Sequence, residues 1–130
     1  MVADPIADLI TRIKNASAAG KPRASLPFSN LVNEIAEILK RHGFVKEVAV
    51  HGKKPKKTIE LELAYDGTTP IIRGAERISR LSKRVYVKKT DIKPVKFGQG
   101  IMVISTSKGL RTDKESRKEG VGGEALFKIW

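Results

Sequence analysis

The stretch Ile101-Met102-Val103-Ile104-Ser105-Thr106-Ser107-Lys108-Gly109 decides how this chain is read. Four apolar residues run directly into a row of small hydroxyls that ends at a lysine and a glycine. A short apolar run bounded by turn residues predicts a buried strand. The hydroxyls then fall on a loop where that strand stops. Thr112-Asp113-Lys114-Glu115 opens a short capped helix, and Gly120 stands just past its end. Val121-Gly122-Gly123-Glu124 leads into a last strand that closes at Trp130. The hydroxyl row is therefore expected on a loop held by regular elements on both sides.

Working outward, the N-terminal half reads as helices on a small sheet. Asp4 is a good N-cap, and Pro5 fits the first helical position, where the backbone N–H has no partner in any case. Ile6, Leu9, Ile10, Ile13 and Ser17 follow at helical spacing and form one inward stripe, with Asp8, Arg12, Lys14 and Asn15 on the other side. Gly20 and Pro22 end this helix. Arg23 to Leu26 reads as a short strand that Pro27 confines to an edge. Ser29 or Asn30 caps a second helix with the stripe Leu31, Ile35, Ile38, Leu39 and His42, closed by Gly43, with Phe44 folding back on Leu39. Phe44 to His51 and Ile59 to Tyr65 alternate as strands. The loop between them, Gly52-Lys53-Lys54-Pro55-Lys56-Lys57, carries four lysines.

Asp66-Gly67-Thr68-Thr69-Pro70 combines turn residues with a change in charge density, which places the boundary between two lobes there. The fold class is α+β. Residues 1–66 form an α/β lobe, and residues 67–130 form a mainly β lobe with one short helix. In the second lobe a strand is expected around Arg84 to Val87. Val85 and Val87 would point inward, and Arg84, Tyr86 and Lys88 outward.

Composition narrows the function. The chain has 130 residues and no cysteine, which excludes disulfides and thiolate metal sites. Its opening, Met1-Val2-Ala3-Asp4-Pro5, lacks the pattern of a signal peptide, and its longest apolar runs are far short of a membrane span. The formal charge is +12, from 26 Lys+Arg against 14 Asp+Glu. Residues 1–65 carry 11 basic and 7 acidic side chains, and residues 66–130 carry 15 and 7, so the excess lies mostly in the second half. A pI near 10.1 points to nucleic acid. An anionic membrane is the rival partner, but the basic stretch from Arg73 to Lys96 lacks an amphipathic helix with an aromatic apolar face.

Catalysis finds little support. His42 and His51 are the only histidines, and they read as a helix-stripe residue and a strand-end residue. Ser105 and Ser107 have no histidine nearby in sequence, and Lys108 would serve as a base only in a site that lowers its pKa. A serine–lysine hydrolase is the enzyme reading that remains. Gly98-Gln99-Gly100 is too short for a nucleotide fingerprint, and no P-loop is present. The bland reading of Ser-Thr-Ser is a polar turn bonded to its own backbone, and a run of basic residues is commonly just a solvated face. Gly122-Gly123 fits either a bulge or a close approach of backbone to a ligand. Tyr86 shifts the balance, because a tyrosine flanked by cations can stack on an unpaired base while the cations meet phosphates.

The tail resembles a known family. Ser105-Thr106-Ser107-Lys108-Gly109, Thr112-Asp113, Arg117, Gly120-Val121-Gly122-Gly123-Glu124 and the closing aromatic strand are similar to the C-terminal signature of small-subunit ribosomal protein eight, bacterial type. Asp4-Pro5-Ile6-Ala7-Asp8 with Thr11-Arg12-Ile13 and Asn15 resembles the same family's N-terminus, so the resemblance spans the whole chain. It implies a non-catalytic, two-lobe ribosomal protein of the cytoplasm, without cofactor or metal. Such a protein binds the central domain of small-subunit rRNA early in assembly and has other small-subunit proteins as neighbours. In some bacteria it also binds its own operon's mRNA and represses translation. Carried over, Ser105, Thr106, Ser107, Lys108 and Gly109 would meet a distorted RNA helix. Arg84 and Tyr86 would assist, and Gly122, Gly123 and Glu124 would shape the adjoining surface. Asp4, Asp8, Arg12, Lys14 and Asn15 would face a neighbouring rRNA segment. Arg111 and Phe127-Lys128 depart from the family's pattern.

Overall fold

A computed structural model describes residues 4–53 and 56–130 of the chain. It is an α+β protein of two compact units that divide between Arg73 and Gly74. The turn chemistry at Asp66-Gly67 predicts the break seven residues earlier. That turn instead joins two short paired strands, β4 (Tyr65–Asp66) and β5 (Thr69–Pro70), and both belong to the first unit. No helix among the described residues is long and apolar enough to cross a membrane.

The first unit places α1 (Pro5–Ala18) and α2 (Asn30–Arg41) with an antiparallel sheet of β1 (Arg23–Pro27), β2 (Val45–His51) and β3 (Thr58–Leu63). The strand order is β1-β3-β2, so Pro27, which has no N–H to offer, ends an edge strand as its chemistry requires. Ile59 and Leu61 of the central strand are fully buried with Leu9 and Ile13 of α1 and Ile35 and Leu39 of α2. Burying each such side chain removes roughly 1.5–3 kcal/mol of unfavourable exposure. Along β3 the alternate residues Glu60 and Glu62 face outward and pair with Arg23 and Lys46 at 3.4 and 3.9 Å.

The stripe of α1 is as expected, with Ala16 added. That of α2 is turned. Val32 and Ala36 are buried, Leu31 is half-buried and His42 is exposed. Ser29 caps the helix by accepting from the Val32 N–H at 3.1 Å, and His42 is the last residue before the chain reverses at Gly43. Phe44 then donates to the Leu39 carbonyl at 3.0 Å while burying its ring, the hydrophobic closure that the sequence predicts. Lys40 of α2 pairs with Glu47 of β2 at 3.1 Å. The hydrogen bond and charge of Glu47 raise the pKa of Lys40. The pair is therefore intact at neutral pH and lapses only as pH climbs through that raised value, above the usual 10.5.

The second unit is a five-stranded antiparallel sheet with the last strand at its centre. Strand β10 (Gly123–Ile129) pairs with β6 (Ala75–Arg77) and β7 (Tyr86–Val87) along one side, and with β8 (Ile101–Thr106) along the other. β8 turns through Ser107-Lys108 into β9 (Gly109–Thr112), a strand where the sequence pattern predicts a loop running into the helix. Helix α3 (Asp113–Glu119) follows.

A reciprocal cap fixes α3. The Thr112 hydroxyl accepts from the Glu115 N–H at 3.3 Å, and the Glu115 carboxylate accepts from the Thr112 N–H at 2.9 Å. The neighbouring Asp113, buried, accepts from the Met102 N–H of β8 at 3.1 Å, so the helix start is bonded to the strand that leads to the hydroxyl row. Thr112→Ala should lower unfolding stability by about 1–2 kcal/mol, read as a lower urea midpoint in the fluorescence of Trp130, the only tryptophan. Thr112→Ser should restore most of the loss. An unchanged midpoint for the alanine variant would show that the cap does not anchor this helix.

Candidate nucleic-acid interface

The end of the second sheet gathers most of the expected residues. In the register, Tyr86 of β7 stands opposite Glu124 of β10, which stands opposite Ser105 of β8. Residues directly opposite on neighbouring strands share a face, so ring, carboxylate and hydroxyl form one row. Tyr86 is 71% exposed, the most exposed of the large hydrophobic side chains described. Val85 and Val87 are half-buried rather than buried, because β7 is only two residues long. Arg84 donates from Nη1 to Glu124 Oε2 at 3.0 Å, which ties a cation beside the row. The ion pair is partly exposed and adds little stability. Its effect is to fix where the guanidinium stands.

The three hydroxyls have different employment. Thr106 Oγ1 donates to the Gly109 carbonyl at 2.7 Å and accepts from the Lys108 N–H at 3.1 Å, so it is engaged in holding the hairpin turn. Gly109 takes φ +107°, a conformation that a side chain would oppose. The hydroxyls of Ser105 and Ser107 make no hydrogen bond among the described residues, and both residues reach the surface, Ser107 more fully. Lys108, Lys83, Lys88 and Lys89 are exposed and take part in no ion pair among the described residues. The surface thus offers two uncommitted hydroxyls, a flat ring and several cations.

Gly122 and Gly123 make this assembly possible. A Cβ on Gly123 would overlap the Ser105 carbonyl oxygen, and one on Gly122 would overlap that of Val87. The glycine pair therefore serves the close approach of the protein's own strands. The register shift in β10 lies further on, between Ala125 and Phe127. Arg111 and Lys128 also have local partners. Arg111 pairs with Glu119 of α3 at 2.9 Å, and Lys128 with Glu76 at 3.7 Å. Arg117 pairs with Asp113 at 3.3 Å.

The remaining expected residues lie on the first unit. Asp4 Oδ1 accepts from the Ala7 N–H at 3.1 Å as the cap of α1. Asp8 Oδ1 accepts from Arg12 Nε at 2.8 Å, and Arg12 Nη1 donates to the Ser25 carbonyl at 2.7 Å. Arg12 is thus held by two bonds in a polar pocket of about 250 Å³ that Asn15, Lys21 and Arg23 also line. Lys14 is exposed nearby on α1. Gly20-Lys21-Pro22-Arg23 reads in sequence only as a helix stop and a strand start, and the fold brings Lys21 and Arg23 to this pocket. Of the lysine loop, Lys54 and Pro55 lie outside the described residues, and Lys57 sits 4.5 Å from the centre of the Phe28 ring.

Residues 4–130 match the family described as ribosomal protein S8. The chain belongs to that family. Its relatives include the small ribosomal subunit protein uS8 of Dictyoglomus thermophilum, 46% identical over 129 residues, covering 99% of this chain and 98% of the relative. The uS8 protein of Thermosipho africanus is 45% identical over 134 residues, covering all of both chains. That of Mycoplasma mobile is 43% identical over 130 residues, covering 100% of this chain and 98% of the relative. This is a family of structural ribosomal proteins, so the chain is not an enzyme and its serines are not read as nucleophiles.

Gly123→Ala tests the close approach directly. Overpacking against the Ser105 carbonyl should cost about 1–3 kcal/mol, with amide shifts concentrated at Ser105, Thr106 and Val87 in a proton–nitrogen correlation spectrum. Unmoved resonances for Ser105 and Thr106 would mean that the strands do not meet there.

Proposed function

We propose that this chain is a structural constituent of the small ribosomal subunit, binding the central domain of its rRNA directly and early in assembly. It works in the ribosome, in the cytoplasm, among neighbouring small-subunit proteins. The observation that carries the reading is the row of Tyr86, Glu124 and Ser105, with Ser107 and Lys108 at the adjoining hairpin tip.

The physical support is the fit between this surface and folded RNA. A-form helices hide their base edges in a deep, narrow groove, so proteins read the shallow groove, the 2′-hydroxyls and unstacked bases. Ser105 and Ser107 can donate to and accept from 2′-hydroxyls and base edges. Tyr86 offers a stacking face. Arg84, Lys88 and Lys108 meet phosphates, and Thr106, Gly109, Gly122, Gly123 and Glu124 hold the surface in shape. In the first unit Arg12, Lys14 and Asn15 meet a second rRNA segment. Asp4 and Asp8 act there by capping the helix and aiming the guanidinium. A message that folds into a like helix would fit the same surface, so the chain represses translation of its own operon where the mRNA carries one.

The Ser107→Ala/Tyr86→Ala variant should bind a central-domain rRNA hairpin more weakly by about 1–3 kcal/mol from the lost stack alone, measured by fluorescence anisotropy at one salt concentration. Lys108→Ala should instead reduce the slope of log affinity against log salt by about 1. Normal affinity in the double variant would remove these residues from the interface.

A further inference from the structure

Strands β6 and β7 lie along the same side of β10, and the chain leaves that side between them. The Ser79 N–H donates to the Ala125 carbonyl at 3.1 Å, and the Ala125 N–H donates to the Val85 carbonyl at 2.9 Å. Both ends of the excursion are thus fastened to one residue of β10. Ser79, only 1% exposed, closes the neck a second time. Its hydroxyl accepts from the Val85 N–H at 2.8 Å and donates to the Val85 carbonyl at 3.2 Å. Beyond the neck, Arg80 and Lys83 exchange two backbone hydrogen bonds, at 2.9 and 3.0 Å, around the turn Leu81-Ser82. Residues 80–84 therefore form a small knob of fixed shape.

The knob holds three cations, Arg80, Lys83 and Arg84, and no carboxylate. Arg80 and Lys83 stand directly opposite each other, so they share one face. Both are exposed and take part in no ion pair among the described residues. Leu81, at the tip, is 43% exposed. Arg84, the last residue of the knob, is the one bound to Glu124 of the row. The knob therefore continues the candidate interface past Tyr86, on the side of β10 away from β8. We propose that it is a second, separate contact with rRNA. Arg80 and Lys83 meet phosphates, and between them Leu81 seats against a sugar or an unstacked base. Nucleic-acid binders use apolar side chains in this way at irregular base steps. A single leucine is too little apolar surface to hold a membrane, and cations without carboxylates favour a polyanion. A neck closed in advance leaves little freedom to lose on binding. The inference rests on the rRNA reading and adds residues outside the row.

The full chain and the central-domain rRNA hairpin test it, by fluorescence anisotropy over a salt series. Arg80→Gln with Lys83→Gln should lower the slope of log affinity against log salt by about 2. Leu81→Ser should weaken binding about fivefold and leave the slope unchanged. Ser82 is exposed and the chain has no cysteine, so Ser82→Cys carries a single tethered iron–EDTA probe. That probe should cleave the bound RNA within one short stretch. An unchanged slope, normal affinity for Leu81→Ser, or no cleavage from Ser82→Cys would each overturn the inference. If the Ser107→Ala/Tyr86→Ala chain still binds weakly, that result leaves the rRNA reading in place and assigns the knob to a protein partner. Normal binding by the Ser107→Ala/Tyr86→Ala chain removes the row instead, and is measured separately.

Discussion

Two adjacent positions without side chains, Gly122 and Gly123, let three strands converge at one end of the second sheet. Each glycine lies against a carbonyl of a different neighbour, Val87 on one side and Ser105 on the other. Neighbouring strands stand about 4.8 Å apart, so Tyr86 and Ser105, two strands apart in the register, are held roughly 10 Å from each other across Glu124. That spacing is set by backbone hydrogen bonds and owes nothing to flexible side chains. The hydroxyls sit on a hairpin whose turn is closed by Thr106 and whose far strand leads into a doubly capped helix. The surface is thus ordered before any ligand arrives, which lowers the entropy lost on binding.

Electrostatics divides the protein by function. Glu60 and Glu62 on the outer face of the first sheet and Asp113 and Glu119 of α3 are each matched by lysine or arginine within 4 Å, and these pairs hold surface side chains in place. Near the hydroxyl row the balance differs. Arg84 alone is tied to a carboxylate there, and Lys83, Lys88, Lys89 and Lys108 remain uncommitted. In the proposed contact with rRNA those cations would supply the salt-dependent part of the affinity.

Much of the fold was legible because local rules and burial agree. Asp4-Pro5, Ser29, Thr112 and Gly120 sit at helix ends as their chemistry dictates. The alternation of Ile59, Leu61 and Leu63 marks a one-sided strand. The failures have physical causes. Leu31 and His42 fit a helical period as well as Val32 and Ala36 do, and only the packed sheet decides which stripe turns inward. Strand β9 is four residues with one fully buried, too little pattern to separate it from a loop. The Asp66-Gly67 turn looks like a boundary because turn chemistry is the same within a unit and between units. At the candidate site the residue types were legible, but their division of labour was not. That Thr106 serves the turn while Ser105 and Ser107 do not depends on hydrogen-bond geometry that a sequence does not carry.

The central claim is that the Tyr86–Ser105 row and the Ser107-Lys108 tip together grip folded ribosomal RNA. Ultraviolet crosslinking of the chain to total cellular RNA, with both the retained RNA and the crosslinked residues sequenced, tests it most directly. The account predicts small-subunit rRNA from the central domain, with crosslinks concentrated at Tyr86 and at Ser105 to Gly109. Crosslinks spread evenly over exposed lysines, or RNA of no preferred identity, would contradict it.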